Sequence, residues 1–343
     1  MATIELDGAQ GEGGGQLLRS ALTLSLVTGT PFRMVNIRAG RRRPGLMRQH
    51  LTAVEAAAAV GAAQVSGADV GARTLTFAPG AVRAGEYHFS VGTAGSATLV
   101  FQAVFPALAL ASGPSTVQVE GGTHNPMAPP FEFLARAYLP LVERMGPRSR
   151  AVLERPGFYP AGGGRFRIDV EPAARLGRLE LLERGAVRAL RATATVALLP
   201  RAIAERELAA FRARAGWEEE ALRIEHVRDA VGPGNVLTAE VECEHVTAVF
   251  TGFGERGVSA ERVGAGMAEE VLEYLAAGVP VDGHLADQLL LPMALGAGGV
   301  FRTVRPTGHT QTHADLLRAF LGCEVKVTDV GAGVWEVEVP GRG

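Results

Sequence analysis

The sequence predicts an α/β protein (α+β in detail) made of three repeated α/β units packed together, with a smaller inserted α/β segment. Three observations lead there. Apolar helical runs follow glycine-marked turns at three places along the 343 residues. A glycine-marked polar loop follows the middle strand of each such stretch. Residues 186–277 break the pattern with a different order of elements.

The first unit opens on a glycine-rich turn at 11–15 and continues as an apolar helix over 16–28. A strand at Phe32–Arg38, a polar loop through Ala39, Gly40 and Pro44, and a helix over Leu46–Val60 ending at Gly61 complete it. The second unit repeats the order: Gly92-Thr93-Ala94-Gly95-Ser96, a helix over 97–111, a strand at Ser115–Val119, then Glu120-Gly121. A loop through Pro126 and a helix over Pro130–Met145 follow. Gln16 matches Ala97, and Gly40 matches Gly121, at one common offset of 81. The third unit reads as Asp287-Gln288, a helix over 289–295, Gly298-Gly299, a strand at Val300–Val304, Pro306-Thr307-Gly308 and a helix over His313–Phe320. The inserted segment alternates as strands at Leu190–Leu198, Val236–Glu242 and Val246–Phe253. Helices over Arg201–Arg214 and Ser259–Leu275 flank them. The expected domains are thus 1–185 with 278–343, and 186–277.

Hydrophobic content of 47% against 20% charged residues describes a folded globular chain. No apolar run approaches the ~20 residues of a membrane span, and the first residues lack a secretory pattern. Cys243 and Cys323 have no metal-ligand spacing, so the expected compartment is the reducing cytoplasm. Net charge is −2, yet Arg33, Arg38, Arg41, Arg42, Arg43 and Arg48 crowd sixteen residues, a local patch suited to phosphates. Lys326 is the sole lysine. That excludes a Gly-Lys-Ser/Thr phosphate loop and leaves little room for covalent lysine chemistry. Arginine does not deprotonate to act as a nucleophile, so covalent nucleotide chemistry falls to histidine.

The run Asp7-Gly8-Ala9-Gln10-Gly11-Glu12-Gly13-Gly14-Gly15-Gln16 has its own chemistry. Side-chain-free backbone at a helix start turns N–H groups toward an anion. An acid inside such a loop suits a divalent cation shared with phosphate oxygens, which makes Glu12 the candidate metal ligand.

Together with Leu18-Arg19-Ser20, this run resembles the RNA 3′-terminal phosphate cyclase family. So do Ile37-Arg38-Ala39-Gly40-Arg41, Pro44-Gly45-Leu46 and Arg48-Gln49-His50. So too do Gly121-Gly122-Thr123, Asn125-Pro126, Ala128-Pro129-Pro130, Gly157–Gly164 and Leu285-Ala286-Asp287-Gln288, in the family's order over essentially the whole chain. The resemblance implies three repeated units and an inserted domain of thioredoxin-like arrangement. It implies a ligase-type, ATP-dependent enzyme of RNA processing that turns a 3′-terminal phosphate into a 2′,3′-cyclic phosphodiester through a histidine–AMP intermediate.

Spacing alone leaves His124 and His309 equivalent, because both lie in loops after a middle strand. The family motif selects His309, in Thr307-Gly308-His309-Thr310. The resemblance further implies Arg19, Arg38 and Arg41 as clamps on the RNA terminal phosphate, with Gln49 adding a hydrogen bond. It implies Gln102, Pro130, His284, Asp287 and Gln288 as ATP contacts, and Glu12 holding Mg²⁺ or Mn²⁺. From sequence alone Asp287 is also a helix-capping residue. The chain departs from the family pattern at Pro156, Phe166 and His284, none of which removes the nucleophile. Two other readings remain open: a non-catalytic cyclase-like scaffold, and an enolpyruvyl-transferase-like enzyme. The latter needs site lysines that this chain lacks.

Overall fold

The computed structural model describes residues 2–11 and 14–342. The chain opens with β1 (Ile4–Asp7), α1 (Gly15–Thr28), β2 (Phe32–Val35), α2 (Arg48–Gly61), β3 (Gln64–Ser66) and β4 (Leu75–Ala78). Their sheet runs β1-β2-β4-β3, parallel at the first pair and antiparallel at the others. Next come β5 (Glu86–Ser90), α3 (Ala97–Leu108), β6 (Ser115–Gly121), α4 (Phe131–Phe133), α5 (Leu139–Glu143), β7 (Arg148–Arg155) and β8 (Gly164–Glu171). That sheet, β5-β6-β8-β7, has the same sequence of directions.

After β9 (Leu179–Leu181) the chain forms β10 (Val187–Ala197), α6 (Arg201–Ala215), β11 (Leu222–Val227), β12 (Gly234–Cys243), β13 (Thr247–Phe253) and α7 (Ala260–Ala277). These strands make a separate sheet, β11-β10-β12-β13. The last part contains α8 (Gly283–Leu295), β14 (Gly298–Thr303), α9 (Gly308–Leu321), β15 (Lys326–Gly331) and β16 (Val334–Pro340). Its sheet, β15-β16-β14-β9, recruits β9 in parallel beside β14. The molecule is therefore a mixed α/β protein of small four-stranded sheets and helices. No helix among the described residues is long and apolar enough to cross a membrane.

Alternation explains the sheets. On β6 and β8, Val117, Val119, Phe166, Ile168 and Val170 are buried on one face, while Gln118, Glu120, Arg165 and Arg167 stand on the other. The helices fill the space between sheets. Helix α1 touches α2, α3 and α9, and α8 touches α9. Nine residues of α1 are buried, among them Leu18, Leu22 and Leu24. Each such leucine contributes about 1.5–3 kcal/mol by burial. Gly29 ends α1 in the left-handed conformation, φ 71°. The start of α1 is thereby held where α2, α3 and α9 converge.

Several expected boundaries are corrected. The strand expected over Phe32–Arg38 stops at Val35, because Asn36 and Arg38 take φ of 52° and 54°. The helix expected over Pro130–Met145 is split into α4, a π-helical turn at Leu134–Tyr138, and α5. Pro140 lies at that break and has no N–H to close an i−4 bond. Helix α8 begins at Gly283, so Asp287 and Gln288 lie inside it, and Asp282 is its cap. Helix α9 begins at Gly308, so His309 sits in a first helical turn and not in a loop.

One buried acid stands apart beside the sheet containing β12. Glu207 of α6 has no exposed surface, and its Oε2 accepts a 2.9 Å hydrogen bond from Asn235 Nδ2. Its other oxygen has no partner among the described residues, and α7 packs against the same turn of α6, where a Cβ on Gly264 would lie 2.2 Å from the Glu207 backbone carbonyl oxygen. Burial pushes the Glu207 carboxyl up to about 7, against the lowering effect of Asn235.

Candidate active site

The glycine-rich segment leaves β1 through a turn in which Asp7 Oδ1 accepts from Ala9 N–H and Asn36 Nδ2. Gly11 is left-handed, φ 61°, and a Cβ there would lie 2.3 Å from Thr312 Oγ1 of α9. The opening loop is thus seated on the helix that carries His309. Glu12, the expected metal ligand, lies outside the described residues. Helix α1 starts beyond Gly14, whose lack of a side chain leaves the cap position without the usual side-chain acceptor, as suits an anion site.

Gly15 is fixed by its neighbours. A Cβ there would stand 2.2 Å from His50 Nε2 and 2.9 Å from Arg19 Nη1. Burial lowers the Arg19 guanidinium to about 10, still a cation at neutral pH. Burial first, and then the charges of Arg19 and Arg38, hold His50 down to about 3. His50 Nδ1 accepts the Met47 N–H, so a neutral ring carries its proton on Nε2 and directs a donor at the loop. Arg41 Nη2 lies 3.1 Å from where a Gly14 Cβ would stand. Arg38 Nη1 donates to the carbonyls of Arg43 and Gly45, 2.8 Å each, which shapes the loop between them. Burial, and then Arg41, lower the pKa of Arg38.

The other wall comes from α3, α8 and α9. The sixth residues of α1, α3 and α8 are Ser20, Gln102 and Gln288. All three line one narrow cavity of about 40 Å³, with Gln16, Arg19, Tyr138 and His313. Gln102 Nε2 donates to Gln288 Oε1 at 2.8 Å. Gln16 Oε1 and Gln102 Oε1 are buried without a hydrogen-bond partner among the described residues. Pro106 and Pro292, four residues after the two bonded glutamines, cannot donate back to their carbonyls. The cavity is therefore rich in acceptors, an arrangement that a buried apolar role would not tolerate.

Asp287 binds the start of α9. Its carboxylate accepts from Thr310 Oγ1 at 2.6 Å and from Thr307 Oγ1 at 3.1 Å. Burial raises its pKa, with the two threonines pulling the other way. The capping role expected as an alternative for Asp287 belongs to Asp282, which accepts from the His284 and Leu285 N–H groups. His313 Nδ1 donates to the Asp287 carbonyl at 2.8 Å, and Nε2 accepts from Ser20 Oγ at 2.6 Å. Because a carbonyl only accepts, the tautomer is decided. Burial lowers His313 to about 4, so it is neutral.

His309 is half-buried in the first turn of α9, and its N–H donates to the cap Thr307. Its charge is felt by both Asp287 and His313. His284 is exposed in the first turn of α8. Gln49 and Pro130 lie elsewhere, at the start of α3. Gln49 Oε1 accepts from Ser96 N–H, and Thr98 Oγ1 donates to the carbonyl of Pro129, next to Pro130. His124 differs sharply from His309. It is buried, stacked on Phe158, with Nδ1 on Thr123 Oγ1 and Nε2 on Glu132 Oε2. Both its nitrogens are committed to structure.

Arg19, Arg41, His50, Gln16, Gln102, Gln288 and the glycine loop thus meet around α1, with His309, Asp287 and His284 on the adjoining helix ends. Ser20, His50, His313, Thr307 and Thr310 had no role assigned from sequence. Thr307, directly before Gly308-His309, carried the one available signal, that of a helix cap. A glycine-opened helix start, the buried Arg19 and the neutral His50 donor suit an anionic ligand.

The sequence matches the RNA 3′-terminal phosphate cyclase family over residues 10–327. It is 54% identical over 338 residues to the RNA 3′-terminal phosphate cyclase of Ralstonia nicotianae, covering 98% of this chain and 97% of that one. The protein of that name in Koribacter versatilis is 52% identical over 326 residues (95% and 92% covered). That in Ectopseudomonas mendocina is 50% identical over 336 residues (98% of each). The chain belongs to the RNA 3′-terminal phosphate cyclase family and is an enzyme of that family.

Proposed function

We propose that the chain converts an RNA 3′-terminal phosphate to a 2′,3′-cyclic phosphodiester, using ATP and a covalent His309–AMP intermediate. A ring nitrogen of His309 attacks the α-phosphorus of ATP and pyrophosphate leaves. An oxygen of the RNA 3′-phosphate then attacks the same phosphorus, and His309 departs. The vicinal 2′-OH attacks the activated phosphate, AMP leaves, and the proton passes to solvent or a nearby base. The last attack is intramolecular, so proximity supplies much of its rate. It also needs a ribose hydroxyl, which selects RNA.

What supports this reading most is the contact between Gly11 and Thr312, one turn beyond His309, joining the anion-suited loop to the nucleophile's helix. Arg19, Arg38 and Arg41 hold the terminal phosphate, as a planar guanidinium fork does well. Gln49 reaches it only by giving up Ser96. Gln102, Pro130, His284, Asp287 and Gln288 hold ATP. The partnerless Gln102 Oε1 and Gln16 Oε1 fit a ligand bearing N–H or O–H donors. Glu12 offers hard oxygen donors suited to Mg²⁺ or Mn²⁺, which would neutralise charge on the departing pyrophosphate.

The same reading takes 1–185 with 278–343 as a catalytic domain of three repeats, supported by the common strand directions of their sheets. It takes 186–277 as a thioredoxin-like insertion, supported by the strand order second, first, third, fourth. Two free buried cysteines suit a reducing cytoplasm.

Incubation with α-labelled ATP and a divalent metal tests the proposal. Acid-labile label should stay on the protein, vanish in His309→Ala, persist in His124→Ala, and be chased by a 3′-phosphorylated oligonucleotide. No adduct with any divalent metal, or an equal adduct in His309→Ala, refutes it.

A further inference from the structure

We propose that Arg42, Arg43, Arg48 and Arg73 form a second phosphate-binding surface that grips the RNA backbone upstream of the terminal phosphate. The inference rests on the reading of RNA as substrate, and it concerns residues outside the terminal-phosphate clamp.

Charge distribution comes first. Residues 13–54 contain seven arginines and no aspartate or glutamate, in a chain of net charge −2. The positive charge is therefore concentrated by the sequence and not spread evenly. Several arginines elsewhere meet acids: Arg165 pairs with Glu120 and Glu154, Arg191 with Glu240 and Glu242, Arg206 with Glu261. Within the cluster Arg33 pairs with Glu5. Arg42, Arg43, Arg48 and Arg73 are exposed and form no ion pair with any described residue.

The backbone then brings them onto one platform. The loop after β2 is closed on itself by Ala39 N–H to Asn36, Arg41 N–H to Arg38 and Gly45 N–H to Ile37. Arg38 braces it from within, through the Arg43 and Gly45 carbonyls. A second loop, 67–73, is bonded to it by Ile37 N–H to Arg73, Leu46 N–H to Ala72 and Gly71 N–H to Leu46. Gly45 is left-handed, φ 81°, and a Cβ on it would lie 2.3 Å from the Gly71 carbonyl oxygen, so the loops are in contact. Arg73 is thus delivered from a distant segment to the arginine loop, and Arg48 opens α2 at its end. Asp69 is the one acid on the second loop.

Unpaired guanidiniums on braced loops repel one another, and a bound polyanion offsets that repulsion. The surface is continuous with the site, because Arg41, next to Arg42 in the chain, lies over Gly14 at the mouth of α1. A strand whose last phosphate reaches that mouth has its preceding phosphates beside Arg42, Arg43, Arg48 and Arg73. Such contacts position the strand without reading its sequence.

The test is a salt titration of binding, which needs no turnover. The probe is a fluorescent RNA decamer ending in a 3′-phosphate, measured by anisotropy, beside a 3′-phosphorylated dinucleotide. The quadruple Arg42→Ala, Arg43→Ala, Arg48→Ala, Arg73→Ala protein should bind the decamer about tenfold or more weakly. Its log Kd against log salt slope should fall by about 2–3, near 0.7 for each lost contact on a single strand. Dinucleotide binding and label transfer from ATP should be unchanged. The corresponding quadruple lysine protein should recover most of the affinity, since a point charge serves a backbone phosphate. Unchanged decamer affinity and slope overturn the proposal, as does equal weakening for the dinucleotide. Tighter binding of polyglutamate than of the decamer would mark an acidic-protein dock and overturn it as well. Loss of ATP labelling in the parent protein, with the arginine effect intact, would fault the catalytic reading and leave this surface standing.

Discussion

Glu207 offers the sharpest quantitative prediction. Its carboxyl is buried between α6, α7 and β12 with one partner, Asn235 Nδ2, and titrates near 7 in the fold against an ordinary value of 4.5. The folded protein therefore holds a proton that the unfolded chain has released. Stability from this group is complete below about pH 4.5 and is lost as pH rises through 7. Integrated from pH 5 to pH 8, the loss is about 2.5 kcal/mol, at 1.36 kcal/mol per pKa unit. Glu207→Gln keeps the shape and cannot ionise, so it should be no less stable at pH 5 and about 2–3 kcal/mol more stable at pH 8. Buried His50 and His313 titrate in the opposite sense, since their folded pKa values are depressed, so the difference between the two proteins is the quantity to follow. Urea unfolding in a Trp335→Phe background isolates Trp217, which packs edge-on against Phe211 of α6 at 4.9 Å. An equal stability difference at both pH values would refute the reasoning.

Three further outcomes follow from single contacts. Gly15→Ala forces a methyl against His50 and Arg19, an overpacking of about 1–3 kcal/mol. It should weaken binding of 3′-phosphorylated RNA by roughly tenfold or more while the melt stays cooperative; unchanged affinity by anisotropy counts against the site. Gly11→Ala meets Thr312 and should slow adduct formation from labelled ATP, with partial recovery in the Gly11→Ala, Thr312→Ala double variant; additive rates would deny the contact. His124→Ala strands the Glu132 carboxylate and the Thr123 hydroxyl, so thermal unfolding should show a loss of about 1–3 kcal/mol with labelling retained.

The helices α1, α2, α3, α6 and α7 were readable because apolar periodicity and terminal glycines mark them. The short strands β3, β4 and β5 were not, since three to five residues carry little periodic signal. The start of α9 was misread for a different reason. Gly308, His309 and Thr310 look like loop residues, yet Thr307 caps the helix and Asp287 accepts from Thr307 and Thr310. That support comes from α8 and is tertiary. The arginine cluster and the glycine loop were visible as composition. The choice between two loop histidines was not visible from spacing, and the structure separates them by environment: one locked between Thr123 and Glu132, one half-buried in the first turn of α9. The neutral states of His50 and His313 arise from burial, which no local pattern encodes.

The bond between Ser20 and His313 spans 293 residues, and Gly11 rests on Thr312 over a similar stretch. Nothing near either partner in the chain can build this junction alone, so it closes only after almost all of the polypeptide has been made and folded. A growing chain carries its arginine cluster long before it acquires α9. On the proposed reading, the phosphate clamp and His309 therefore first meet in a finished chain.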